Sequence, residues 1–143
     1  WDWIDYMQNN GVVGVVCLLP QEQLDYYEEP LLEAYREAFG DDMVCWAPVE
    51  DFHLIDPATL KDVILPFLDE AASLGMRVVV HCSGGIGRTG IVLAAWLVHH
   101  AGLGVEDALQ TVEKMKRCPR EVVHAGNATK EELAALLESV RES

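Results

Sequence analysis

Between an apolar run, Val78-Val79-Val80, and an apolar stretch from Ile91 to Val98 lies the decapeptide His81-Cys82-Ser83-Gly84-Gly85-Ile86-Gly87-Arg88-Thr89-Gly90. The run before it has the composition of a buried strand, and the stretch after it that of a buried helix. Strand, glycine-rich turn and helix in that order point to an α/β chain, with the turn at the carboxyl edge of a sheet. The uncharged turn residues Ser83, Gly84, Gly85, Ile86 and Gly87 allow backbone N–H groups to curl inward as an anion nest. The first turn of the following helix adds unpaired N–H groups and a partial positive charge. Arg88 adds a planar fork that matches two phosphate oxygens at once. The same positive field favours the thiolate form of Cys82, which places a nucleophile at the base of a phosphate-shaped cradle.

The arrangement His-Cys, five residues, Arg-Thr-Gly resembles the signature of the cysteine-dependent protein tyrosine phosphatases, in particular the small dual-specificity branch. The resemblance covers residues 11 to 117 and thins beyond Cys118. It implies a central, mainly parallel sheet flanked by helices on both faces, in a single catalytic domain over residues 1–143. It also implies a strand or two ahead of the first helix, and none is visible after Trp1. It assigns His81 to orienting the loop and tuning the cysteine. It assigns the Thr89 hydroxyl to a hydrogen bond with the sulfur that eases its departure. Each residue also has an ordinary reading, as a core histidine and as a helix cap. The implied chemistry uses no metal and no cofactor.

A phosphomonoester needs a general acid, because an alkoxide leaves poorly. Glu50, Asp51 and Asp56 are the carboxylates after the second strand. Asp56 precedes Pro57 and reads as an N-cap. Trp46-Ala47-Pro48-Val49-Glu50-Asp51-Phe52 resembles the acid loop of small dual-specificity phosphatases, which end a proline-containing approach in Asp-Phe. That resemblance favours Asp51, with Glu50 as the alternative. The family's later glutamine or asparagine, which positions the hydrolytic water, has Asn127 as its weak counterpart. Residues 119 to 127 follow no family pattern.

The 24 acidic residues against 10 basic ones give a net charge of −14. A domain so acidic repels nucleic acid and anionic membranes. Two readings of the charge compete: an ordinary solvated acidic surface, and adaptation to high intracellular salt, where screening tolerates self-repulsion. No apolar run approaches the ~18 residues of a membrane span, and Trp1-Asp2-Trp3 lacks a basic secretory leader. The four cysteines form no Cys-x-x-Cys pair. Cys17 and Cys45 lie in apolar runs and read as core residues. A thiolate enzyme needs reducing surroundings, so the expected compartment is the cytoplasm. The adjacent His99 and His100 cannot share a helix face, fit no zinc spacing and read as surface residues.

The pattern predicts a helix from Ile4 to Asn10, a strand over residues 12–19, polar loop over 21–28, a helix from Pro30 to Phe39, and a strand over 43–46. It then predicts a helix from Asp56 to Leu74 kinked at Pro66, a strand over 77–81, and helices near 89–101, 105–117 and 130–142. Thr129 and Glu132 have the spacing of a capping box. Gly85-x-Gly87-x-x-Gly90 also matches a dinucleotide-binding fingerprint, but residues 106–117 read as helix and the required second strand is absent.

These features predict hydrolysis of a phosphomonoester through a cysteinyl-phosphate. The alternatives are a phosphate-binding module without turnover, or a same-fold phosphatase acting on RNA 5′-triphosphate or inositol phosphates. The uncharged loop and the acidic surface favour a phosphoprotein or a small monoester.

Overall fold

The computed structural model describes residues 2–27, 30–50, 53–82 and 87–142. Three strands form its sheet: β1 (Val12–Cys17), β2 (Val44–Trp46) and β3 (Arg77–His81). All pairings are parallel, in the order β2-β1-β3. Parallel neighbours require crossovers that cover the sheet's faces, so the central strand is apolar on both sides. Alternate residues of β1 and its extension divide accordingly. Val15, Cys17 and Leu19 join α1 (Asp2–Asn9) and α3 (Leu31–Phe39) in one core, with Met7 and Tyr35. Val16 and Leu18 join the other core, which is filled from α5 (Leu65–Ser73), α6 (Gly87–Ala101), α7 (Val105–Lys114) and α9 (Lys130–Ser139). The predicted parallel sheet with helices on both faces is therefore observed.

Several local signals act as read. The Asp56 side chain accepts a hydrogen bond from the Thr59 N–H at 3.1 Å and opens α4 (Pro57–Thr59). Both halves of the capping box form, Thr129 N–H to Glu132 at 3.0 Å and Glu132 N–H to Thr129 at 3.1 Å. Gly40 and Gly75 end their helices with φ of +92° and +68°, a region costly for residues with a Cβ.

Three segments differ from the sequence pattern. The stretch after β1 is not all loop: Pro20 precedes a short helix α2 (Gln21–Leu24), and burial of Leu24 holds that turn against the core. The helix expected to kink at Pro66 contains a π-helical turn, Leu60–Ile64, after which Pro66 sits in the first turn of α5. Proline lacks an N–H and crowds the carbonyl four residues back, and a wider preceding turn accommodates both defects. Residues 119–127 contain helix α8 (Glu121–His124). Ahead of it, Pro119 packs on Gly90: a Cβ at Gly90 would lie 3.0 Å from the Pro119 nitrogen.

Candidate active site

β3 delivers His81 and Cys82 to the carboxyl edge of the sheet, and α6 starts at Gly87 with Arg88 and Thr89 in its first turn. Ser83, Gly84, Gly85 and Ile86 lie outside the described residues, as does Asp51. The residues that bracket the loop do converge. Thr89 Oγ1 donates to Cys82 Sγ at 3.2 Å, seven positions away in sequence. Cys82 and Thr89 are both buried.

Arg88 is 2 % exposed. Its Nη1 donates to the Val49 carbonyl at 2.8 Å and to Gln23 Oε1 at 3.0 Å. The first bond ties the arginine to the chain two residues before Asp51. That stretch is itself laid along the end of β1, with Ala47 N–H donating to the Cys17 carbonyl and Val49 N–H to the Leu18 carbonyl. The alternative acid, Glu50, is an exposed carboxylate 3.8 Å from His53 Nδ1.

His81 lies in a relay that starts on the other side of the sheet. Its Nε2 is 2.9 Å from the Tyr35 hydroxyl, and that hydroxyl accepts from Trp3 Nε1 at 3.1 Å. The two rings meet edge to face, with centroids 5.6 Å apart. Burial pushes the His81 imidazole below its ordinary value, partly opposed by a hydrogen bond to the Cys82 backbone. Burial also holds the Tyr35 phenol well above the usual tyrosine range, so it keeps its proton. A hydroxyl that accepts from Trp3 still has that proton to give, and a neutral imidazole nitrogen can take it.

Burial pushes both Cys17 and Cys45 up to about 11, so they stay protonated near neutrality and serve as core residues. Among the described residues, no group of three or more histidine, cysteine or carboxylate side chains could hold a metal ion. His99 is not a surface residue as the sequence pattern suggests. Its imidazole is 11 % exposed and bridges Asp69 at 2.8 Å and the Val140 carbonyl at 3.2 Å, because the C-terminal turn closes over it. His100 does face solvent, stacked on Trp96 at 4.5 Å. Asn127 is exposed in the turn after α8.

Gln23, Tyr35 and Trp3 are site neighbours that the sequence pattern does not single out. Tyr35 carried one signal: it stands four residues from both Leu31 and Phe39 on an apolar helix face, and a buried tyrosine needs a partner for its hydroxyl. Glu121, from the segment without a family pattern, brings its carboxylate to the loop's far end. Its Oε1 would lie 2.6 Å from a Cβ on Gly87.

Comparison with known proteins agrees with this geometry. Residues 26–129 match the family model of the dual specificity phosphatase catalytic domain. An uncharacterized protein of Methanocaldococcus jannaschii is 43 % identical over 70 residues, covering 48 % of this chain and 44 % of its own length. Dual specificity protein phosphatase Mpk3 of Drosophila melanogaster is 34 % identical over 77 residues, covering 54 % of this chain and 19 % of its own. The human serine/threonine/tyrosine-interacting protein is 22 % identical over 112 residues, covering 78 % of this chain and 47 % of its own. The chain thus spans less than half the length of these curated relatives. Among solved structures, Tk-PTP in its active form superposes with a TM-score of 0.75 at 26 % identity, covering 99 % of this chain and 85 % of that one. A match of this extent settles the family: the chain belongs to the dual specificity phosphatases, within the cysteine-dependent protein tyrosine phosphatase superfamily.

Proposed function

We propose that this chain hydrolyses phosphomonoesters by way of a cysteinyl-phosphate. The observation that carries the reading is the juxtaposition of Cys82, the Thr89 hydroxyl at 3.2 Å and the buried Arg88 on one helical turn. In the first step Cys82 Sγ bonds to phosphorus as the bond to the leaving oxygen breaks, and Asp51 gives that oxygen a proton. Arg88 and the backbone N–H groups of residues 83–87 hold the equatorial oxygens. In the second step water attacks phosphorus and gives its proton to the Asp51 carboxylate. The sulfur leaves as a thiolate, eased by the Thr89 hydroxyl, and inorganic phosphate is released. His81, neutral by burial, holds the backbone at Cys82 and does not attack.

The favoured substrate is a phosphoprotein or a small monoester. Residues 83–87 carry no charge, and the chain's net charge is −14. Glu121 adds a carboxylate beside Gly87. A polyanionic RNA 5′-triphosphate or inositol phosphate finds no lysine in that loop and meets repulsion from the net charge and from Glu121. The thiolate chemistry suits a reducing cytoplasm, and no helix of the described residues is long and apolar enough to cross a membrane. The charge also supports a halophilic setting.

The test is phosphate release from matched phosphotyrosine, phosphoserine and inositol phosphate substrates by wild type and Cys82→Ser. We expect the variant to bind inorganic phosphate without turnover. Wild-type rates in Cys82→Ser would exclude the covalent route. Phosphate binding with no turnover in the wild type would leave a binding module.

A further inference from the structure

We propose that Gln23 is a positioning residue for Arg88, a neutral strut that fixes the guanidinium without cancelling its charge. The proposal rests on the phosphatase reading above and names a part of that site which no motif marks.

A guanidinium buried to 2 % exposure needs acceptors for its N–H groups. Among the described residues, two acceptors meet Nη1, Gln23 Oε1 and the Val49 carbonyl, and both are uncharged. Gln23 sits on α2 between carboxylates that the same short helix sends to solvent, Glu22 and Asp25. In a chain with 24 acidic residues, the position that faces the arginine holds an amide. The difference matters because charges attract more strongly in a site shielded from water. A carboxylate at 23 would pair with Arg88 and compete with the substrate phosphate for the same positive charge. An amide supplies direction alone.

The strut has a firm footing. Gln23 and Leu24 N–H groups both donate to the Pro20 carbonyl, at 3.0 and 3.1 Å. Leu24 is buried in the core beneath α1 and α3. The helix is thus pinned by Leu24 while Gln23, next to it, reaches the arginine 65 positions away. With Nη1 tied at two points, the plane of the guanidinium is set. A fork held in its plane is what two-pronged binding of phosphate requires.

Gln23→Met keeps length and removes the acceptor; Gln23→Glu keeps the acceptor and adds charge. Each is compared with wild type and Arg88→Lys for kcat and KM on 4-nitrophenyl phosphate, for affinity for inorganic phosphate by calorimetry, and for melting temperature. We expect Gln23→Met to lose about tenfold in kcat/KM, with weaker phosphate binding and an almost unchanged melting temperature. Gln23→Glu should weaken phosphate binding at least as much, although it restores the hydrogen bond. A purely structural role would leave Gln23→Glu at wild-type affinity, and that result overturns the proposal. So does a Gln23→Met enzyme within twofold of wild type in both turnover and phosphate binding. If Arg88→Lys is impaired and both Gln23 variants are not, only the strut falls. If wild type neither binds phosphate nor releases it, the phosphatase reading falls first.

Discussion

The Tyr35 hydroxyl and His81 Nε2 stand 2.9 Å apart, 46 positions from each other in sequence, and join the core beneath α1 and α3 to the residue before Cys82. The contact fixes the His81 ring against the helix that carries Tyr35. It also gives α3 a role at a site it does not line with charge. Tyr35→Phe keeps the ring and deletes the hydroxyl, leaving two buried or half-buried partners short of a hydrogen bond. The expected cost is about 1–3 kcal/mol of stability, read from denaturant unfolding. A several-fold drop in kcat should accompany it if the relay holds the Cys82 backbone. Unchanged stability and rate would show that the contact is incidental.

Thr89→Ala should act late in the cycle. Its hydroxyl donates to Cys82 Sγ at 3.2 Å, and in the proposed cycle that bond eases departure of the sulfur. We expect formation of the cysteinyl-phosphate to change little and its hydrolysis to slow by about 10- to 100-fold. Rapid-mixing kinetics should then display a burst of alcohol product equal to the enzyme concentration, with a lowered KM. Equal slowing of both steps would assign Thr89 to structure.

His99 and His81 should pull the pH dependence of stability in opposite directions. Burial alone would lower His99, but hydrogen bonds to Asp69 and the Val140 carbonyl, with the Asp69 charge, carry it above its ordinary value. The folded state then binds more protons than the unfolded chain, so this stabilisation is complete below about pH 6.5 and fades as pH rises through the folded value. His81 is lowered by burial, so its contribution falls away as pH drops below about 6.5. His99→Gln should therefore destabilise more at pH 6 than at pH 9. An equal loss at both pH values would refute the ionic part of the clamp.

Salt should stabilise this protein. Its net charge is −14, and the screening length falls to about 3 Å at 1 M salt. Melting temperature measured against potassium chloride should rise into the molar range. A flat or falling curve would remove the halophilic reading and leave an ordinary acidic surface.

The choice of acid is tested with leaving groups of graded acidity. Asp51→Ala should slow hydrolysis of alkyl or tyrosyl phosphates by about 10²–10⁴-fold. The loss should shrink for an ester whose leaving group needs little protonation. Glu50→Ala, which removes an exposed carboxylate beside His53, should leave rates close to wild type. The reverse pattern would move the acid to Glu50 and keep the chemistry.

Legibility in the sequence follows the distance over which each signal acts. The cap at Asp56, the box at Thr129 and Glu132, and the strand and helix on either side of the glycine-rich stretch are encoded within a few residues, and all form. Arg88 reads as a cation at a helix start, but its holders lie 39 and 65 positions away. No local period reports contacts of that kind. His99 reads as a surface residue because, with His100, it fits no zinc spacing and shares no helix face, yet burial there is decided by Val140 and Asp69 from two other segments. The π-helical turn before Pro66 arises from competition between two helix geometries, and a proline in the sequence says only that one must yield.

Gly90 gives the decapeptide a second meaning. It closes the proposed phosphate-binding sequence, yet what it admits is the backbone of Pro119 and the side chain of Arg117 against α6. The last letter of the motif therefore records masonry, and the letters before it carry the proposed catalysis. Grafting the loop onto another scaffold would carry over the reactive groups and leave their buttress behind. A transplant meant to work has two pieces, the decapeptide and the strand of chain from Arg117 to Glu121 that seats against it.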